Sequence, residues 1–231
     1  MKIFRSFFVI LAFSAFASIG SAQPLNLQAL LDDMYQSNPP YSTEQVVFSN
    51  HWIMGKGETR VAYAVVVVKT SVDDCHACPA RLDGALFRKD RYTDDKWQRS
   101  RFRRDFAITG GFNEPGEISL MRLSDGEYAL RIDDGFTGQG YTVTNTTIYL
   151  LEMEFERIAA FRTGEDNSGA CDPPRMRCFG FETKITTVPA QKEPESGFYD
   201  LKVVTTGTNS SFKPMNRTAF YRFNGIAYDR K

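Results

Sequence analysis

Histidine is scarce in this chain: His51 and His76 are the only two among 231 residues. A Ser/His/Asp arrangement needs a placed imidazole base. His76 is confined between Cys75 and Cys78, and His51, in Ser49-Asn50-His51-Trp52, has no readable partner. HExxH, the P-loop, a Gly-x-Gly-x-x-Gly turn from strand to helix and the Gly-x-Ser-x-Gly elbow are all missing. No catalytic residue, metal site or cofactor is predicted from motifs. Charge of neither sign is in excess, with 28 basic and 28 acidic side chains, and 42% of residues are hydrophobic. That balance excludes a disordered tail and a polybasic nucleic-acid binder.

Long apolar runs are confined to the N-terminus. Lys2 and Arg5 precede the run from Phe7 to Ile19, and Gly20-Ser21-Ala22 comes after it. A short positive start, a brief hydrophobic stretch and small residues at the last and third-last positions are what a secretory signal peptide needs. The run is too short for the roughly 20 residues that span a bilayer as a helix. Residues 1–22 are therefore expected to be cleaved, leaving 23–231 as a single β-rich domain, periplasmic or secreted, with no transmembrane segment.

What remains is dominated by strand signals. One amphipathic helix is predicted between Pro24 and Gln36, where Leu27, Leu30, Leu31 and Met34 recur at helical spacing and Pro39-Pro40 stops the chain. From Gln45 onward, short β-branched and aromatic runs alternate with Gly, Asp and Asn. Val61 to Lys69, containing Val65-Val66-Val67-Val68, reads as a central strand. Further strands are expected over 45–53, 99–108, 118–123, 128–132, 141–156, 179–187, 198–205 and 218–223. Ser124-Asp125-Gly126 marks a hairpin, and Asn224-Gly225 a type I′ turn before Ile226-Ala227-Tyr228. The expected fold is mainly β, an antiparallel β-sandwich or distorted barrel with one N-terminal helix.

Four cysteines, Cys75, Cys78, Cys171 and Cys178, suit two disulfides in an exported chain. Cys171 and Cys178 enclose a Pro-bent segment able to close on itself, which leaves Cys75 to Cys78. The other connectivities join the two clusters across the fold through much longer loops. A rival reading makes Cys75-His76-Ala77-Cys78 the dithiol of a thiol-disulfide oxidoreductase, a chemistry that needs a following helix to depress a thiol pKa; zinc binding is a weaker rival because the second pair is spaced more widely than a zinc knuckle.

The best surface feature is a basic band. Between 88 and 104, eight basic residues face three acidic ones, a local charge of +5. Alternation would set Arg99, Arg101 and Arg103 on one strand face, with Phe102, Phe106 and Ile108 on the other and Trp97 nearby for stacking. Such a ladder suits an acidic protein or an anionic envelope or glycan surface; its structural alternative is arginines pairing with acidic neighbours across a sheet. The sequence thus predicts an exported, disulfide-stabilised binding or accessory protein of the cell envelope, an inhibitor among the options, with Arg99, Arg101, Arg103 and Trp97 as its candidate binding face.

Overall fold

The computed structural model describes residues 25–36, 41–55, 59–70, 78–90, 96–190 and 197–231. The expected signal peptide, Cys75 and His76 lie outside the described residues. Strands β1 (Val46–Met54), β2 (Val61–Lys69), β3 (Ala80–Lys89) and β4 (Gln98–Thr109) form one antiparallel meander in sequence order. Eight more form a second: β5 (Glu117–Arg122), β6 (Tyr128–Gly138), β7 (Tyr141–Leu150), β8 (Glu156–Asp166), β9 (Gly180–Val188), β10 (Asp200–Thr208), β11 (Pro214–Phe223) and β12 (Tyr228–Arg230). The molecule is mostly β, with two antiparallel sheets, one α-helix and no closed barrel among the described residues. No helix among them is long and apolar enough to cross a membrane.

The helix, α1 (Leu27–Tyr35), buries the stripe read from the sequence. The Asn26 side chain accepts from the Ala29 amide at 3.1 Å to cap its start, and Gln36, at φ 44°, ends it. Leu30, Leu31, Met34 and Tyr35 pack on Ala64, Val66, Val68, Ala85 and Phe87. Val65 and Val67 point the other way, into the space between the sheets, with Leu82, Leu86, Leu130 and Phe155. Because alternate side chains of a strand face opposite ways, the four-valine run fills both cores. Each of these fully buried valines contributes roughly 2 kcal/mol relative to exposure.

Strand β3, which contains Asp83 and Gly84, is not among the strands expected from the sequence. Both residues are needed where they are. The Asp83 carboxylate is buried and accepts from the Tyr35 hydroxyl and the Asp105 amide, each at 2.9 Å, tying α1 to β4. Burial pushes the Asp83 carboxyl above its ordinary range, against the lowering effect of those two hydrogen bonds. Asp105 sits at φ 46°, within an irregular stretch where the β3–β4 register shifts between Leu82 and Gly84. The uniform alternation expected over 99–108 is therefore corrected: Phe102 packs on the helix side, Phe106 between the sheets, and Ile108 is exposed.

One turn also differs from expectation. Asn224 is not in the left-handed region that type I′ requires, and only Gly225 has positive φ there. Asn224 Oδ1 instead accepts from the amides of Ile226 and Ala227 at 2.8 and 2.9 Å, an Asx-type closure of a four-residue loop. Two consecutive positive-φ residues do occur at Gln139-Gly140, between β6 and β7.

Candidate functional site

A second register shift, between Leu86 and Phe87, divides the arginine ladder. Arg99 lies opposite Phe87 and reaches α1; Arg101 and Arg103 lie opposite Leu86 and Gly84 and reach the second sheet. The expectation of one shared face is corrected: Ser100 falls at the irregularity, where its hydroxyl donates to the Leu86 carbonyl at 3.1 Å.

Each guanidinium is engaged internally. Arg99 donates to the carbonyls of Asp33 and Met34 at 2.8 and 2.7 Å and lies 5.2 Å from the Phe102 ring centroid. It thus satisfies acceptors that the last turn of α1 leaves open. Arg101 donates to the Glu152 carbonyl at 2.9 Å and pairs with the Glu152 carboxylate at 3.5 Å. Arg103 bonds the Glu154 carbonyl at 3.3 Å and the Glu156 carboxylate at 2.5 Å. Trp97 packs, half-buried, on the α1 core. These contacts dock the helix and join β4 to the turn between β7 and β8.

The cysteine expectation resolves at one end. Cys171 and Cys178 form a disulfide with Cα atoms 5.1 Å apart. Inside the loop that carries it, Asn167 is buried and binds the Phe179 amide and the Arg177 carbonyl at 2.8 and 3.0 Å. Cys78 is also disulfide-bonded, while its candidate partner Cys75 is outside the described residues. Cys78 leads two residues later into strand β3, so the chain enters a strand there and not the helix whose N-terminus would stabilise a thiolate.

The second sheet supplies a concavity that the sequence did not reveal. It curls until Arg131 on β6 donates to the Ile185 carbonyl on β9 at 3.5 Å, across the two intervening strands of the sheet order. The Tyr199 amide, just before β10, donates to the Leu123 carbonyl beyond β5 at 2.6 Å. Along one end of the inner face, Met121, Ala129, Ile148, Leu150, Ile158, Leu201, Phe223 and Tyr228 make an apolar cluster. The Tyr228 hydroxyl donates to the Tyr199 carbonyl at 2.9 Å, and burial pushes that phenol well above its ordinary pKa.

Beyond that cluster the inner face hollows out. Strands β8 and β9 pair only through Gly164, Glu165 and Asp166 with Glu182, Phe181 and Gly180. The separation leaves a cavity of about 260 Å³ beside them, lined with Phe161, Val203, Ala219 and Tyr221. Phe161 and Tyr221 meet edge to face at 5.1 Å. Thr183 and Thr205, both buried, share one hydrogen bond of 2.9 Å in its wall. Ala160, Arg162, Arg217 and Arg230 complete the lining. Arg162 pairs with Glu165 at 2.9 Å; among the described residues, Arg217 and Arg230 pair with no carboxylate.

Register explains the grouping. Ala219 faces Val203, Arg217 faces Thr205 and Tyr221 faces both Leu201 and Arg230. An antiparallel partner's side chain shares its face, so the arginines join the face that carries the apolar floor. The sequence signal was faint: Arg217, Ala219, Tyr221 and Phe223 alternate with Thr218, Phe220 and Arg222, a pattern with apolar residues on both sides. A second hollow of about 500 Å³ lies between β5–β6 and β9, where Arg131 binds the Asp133 carboxylate at 2.7 and 2.9 Å.

The chain matches no family model, no curated protein and no solved structure.

Proposed function

We propose that the protein is an exported, disulfide-stabilised binding or accessory protein that holds a small ligand on the concave face of its eight-stranded sheet. The observation that carries this reading is the 260 Å³ cavity, with its aromatic and aliphatic floor and two arginines lacking acidic partners among the described residues. Ligand pockets combine an apolar lining with a few placed polar groups, and this hollow has that make-up. The basic leader with its small-residue end supports export, and the Cys171–Cys178 bond suits an oxidising compartment.

The test has two readouts. N-terminal sequencing of protein from its native host should begin at Gln23; a chain retaining residues 1–22 overturns export. Denaturing extracts of wild type and Ala219→Trp, which fills the floor, should differ by a small molecule present only in the wild type. Identical extracts overturn the concave-face reading.

A further inference from the structure

We infer that the cavity selects a monocarboxylate of about eight carbons in all, with an apolar tail of about seven, a conclusion that rests on the concave-face reading and specifies its ligand. Size sets the first limit. A cavity of about 150 Å³ accommodates benzene, and a water occupies about 30 Å³ of liquid. At that scale 260 Å³ takes about nine or ten non-hydrogen atoms.

Charge sets the second. Arg162 is neutralised by Glu165 at 2.9 Å, leaving Arg217 and Arg230 as the uncompensated charges of the lining among the described residues. Both are exposed at the rim, where their charge costs little to keep in water and an incoming anion can be met without prior desolvation. A guanidinium presents donors in a planar fork that matches a carboxylate's two oxygens.

The wall adds a further donor. Two threonine hydroxyls own two protons, and the single bond between Thr183 and Thr205 uses one of them. The other hydroxyl proton can go to a ligand oxygen. An apolar tail lies against Phe161, Val203, Ala219 and Tyr221, surface that is removed from water on both partners when the tail enters.

Titration calorimetry with octanoate, octanol and octylammonium tests this on protein purified from its native compartment. Octanoate should bind at least tenfold more tightly than octanol, with octylammonium weakest. In Arg217→Gln/Arg230→Gln, checked for its fold by circular dichroism, octanoate should fall to the octanol level while octanol is unchanged. Octanol binding as tightly as octanoate, with both lost in Ala219→Trp, overturns the carboxylate selection and leaves the concave-face reading standing. Octanoate affinity that the double substitution does not alter removes the two arginines from the site. Failure of all three probes to bind overturns the ligand class; loss of the concave-face reading itself is registered separately, by identical extracts from wild type and Ala219→Trp.

Discussion

The Phe155 ring occupies the place where a β-carbon on Gly84 would stand: Cε1 lies 2.7 Å from that position and Cδ1 2.9 Å. Gly84 is in the four-stranded sheet and Phe155 in the turn between β7 and β8, so the missing side chain of one lets the ring of the other close the sandwich. Glu154 and Phe155 are both at positive φ, 53° and 60°, a conformation that disfavours non-glycine residues. Full burial of Phe155 and the Arg101 and Arg103 bonds to the Glu152 and Glu154 carbonyls hold the turn in place.

Gly84→Ala should therefore destabilise by about 1–3 kcal/mol, the cost of overpacking, and Phe155→Ala by about 3–5 kcal/mol through lost burial and a cavity. The double substitution should cost less than the two singles added, because the methyl group then enters vacated space. Urea unfolding of the four proteins measures this. Strict additivity would show that the ring and the glycine do not meet.

Arg99 makes a different prediction from the one a binding surface would make. Its donors serve the Asp33 and Met34 carbonyls, and hydrogen bonds to charged groups contribute about 1.5–3 kcal/mol. Arg99→Ala should lower stability by about 1–2 kcal/mol, at the low end because the exposed part of that contact is solvated, and amide exchange over Leu30 to Tyr35 should quicken more than exchange in the second sheet. Unchanged exchange in α1 would remove the capping role.

The features legible in the sequence are those with local causes. The α1 stripe, the β2 valines and the Cys171–Cys178 closure each depend on residues within one element or one loop, so spacing alone exposes them. Strand β3 was missed because Asp83-Gly84 breaks its apolar pattern, for reasons supplied by Tyr35 and Phe155, distant in sequence. The arginine ladder was misplaced because a one-residue shift reverses every later side chain, and the irregularities at Ser100 and Asp105 carry no sequence mark. The cavity was illegible for a related reason. It depends on curling of the second sheet and on separation of β8 from β9, neither of which is encoded by any single strand.

The disulfide closes a small loop, with cysteines seven apart in sequence. The chain-entropy relation gives about 2–3 kcal/mol for a ring of that size. Cys171→Ala/Cys178→Ala should lose about that amount, with amide exchange rising over 167–179, where Asn167 organises the backbone. The loss should be local: octanoate affinity of the double variant should match wild type, since none of the loop residues lines the cavity. A comparable fall in affinity would couple the loop to the concave face.

Asp200 governs an acid-sensitive contact at the start of β10. Its side chain is 3% exposed and pairs with Lys231 at 2.5 Å and Arg222 at 3.2 Å. Burial by itself would raise the carboxyl pKa, but the hydrogen bonds and charges of Lys231 and Arg222 outweigh it and hold the group below the ordinary carboxylate range. A carboxyl depressed in the folded state binds its proton more readily when unfolded. Its stabilisation is thus fully present above the unfolded value, near about pH 3.9, and is lost as pH falls through the folded value. Asp200→Asn should cost about 1–3 kcal/mol at neutral pH and narrow the gap to wild type as the medium is acidified below about pH 4. Denaturant midpoints taken from neutral pH down to about pH 3 give the comparison. A gap that stays constant over that range would show that the carboxylate is not held ionised by Lys231 and Arg222.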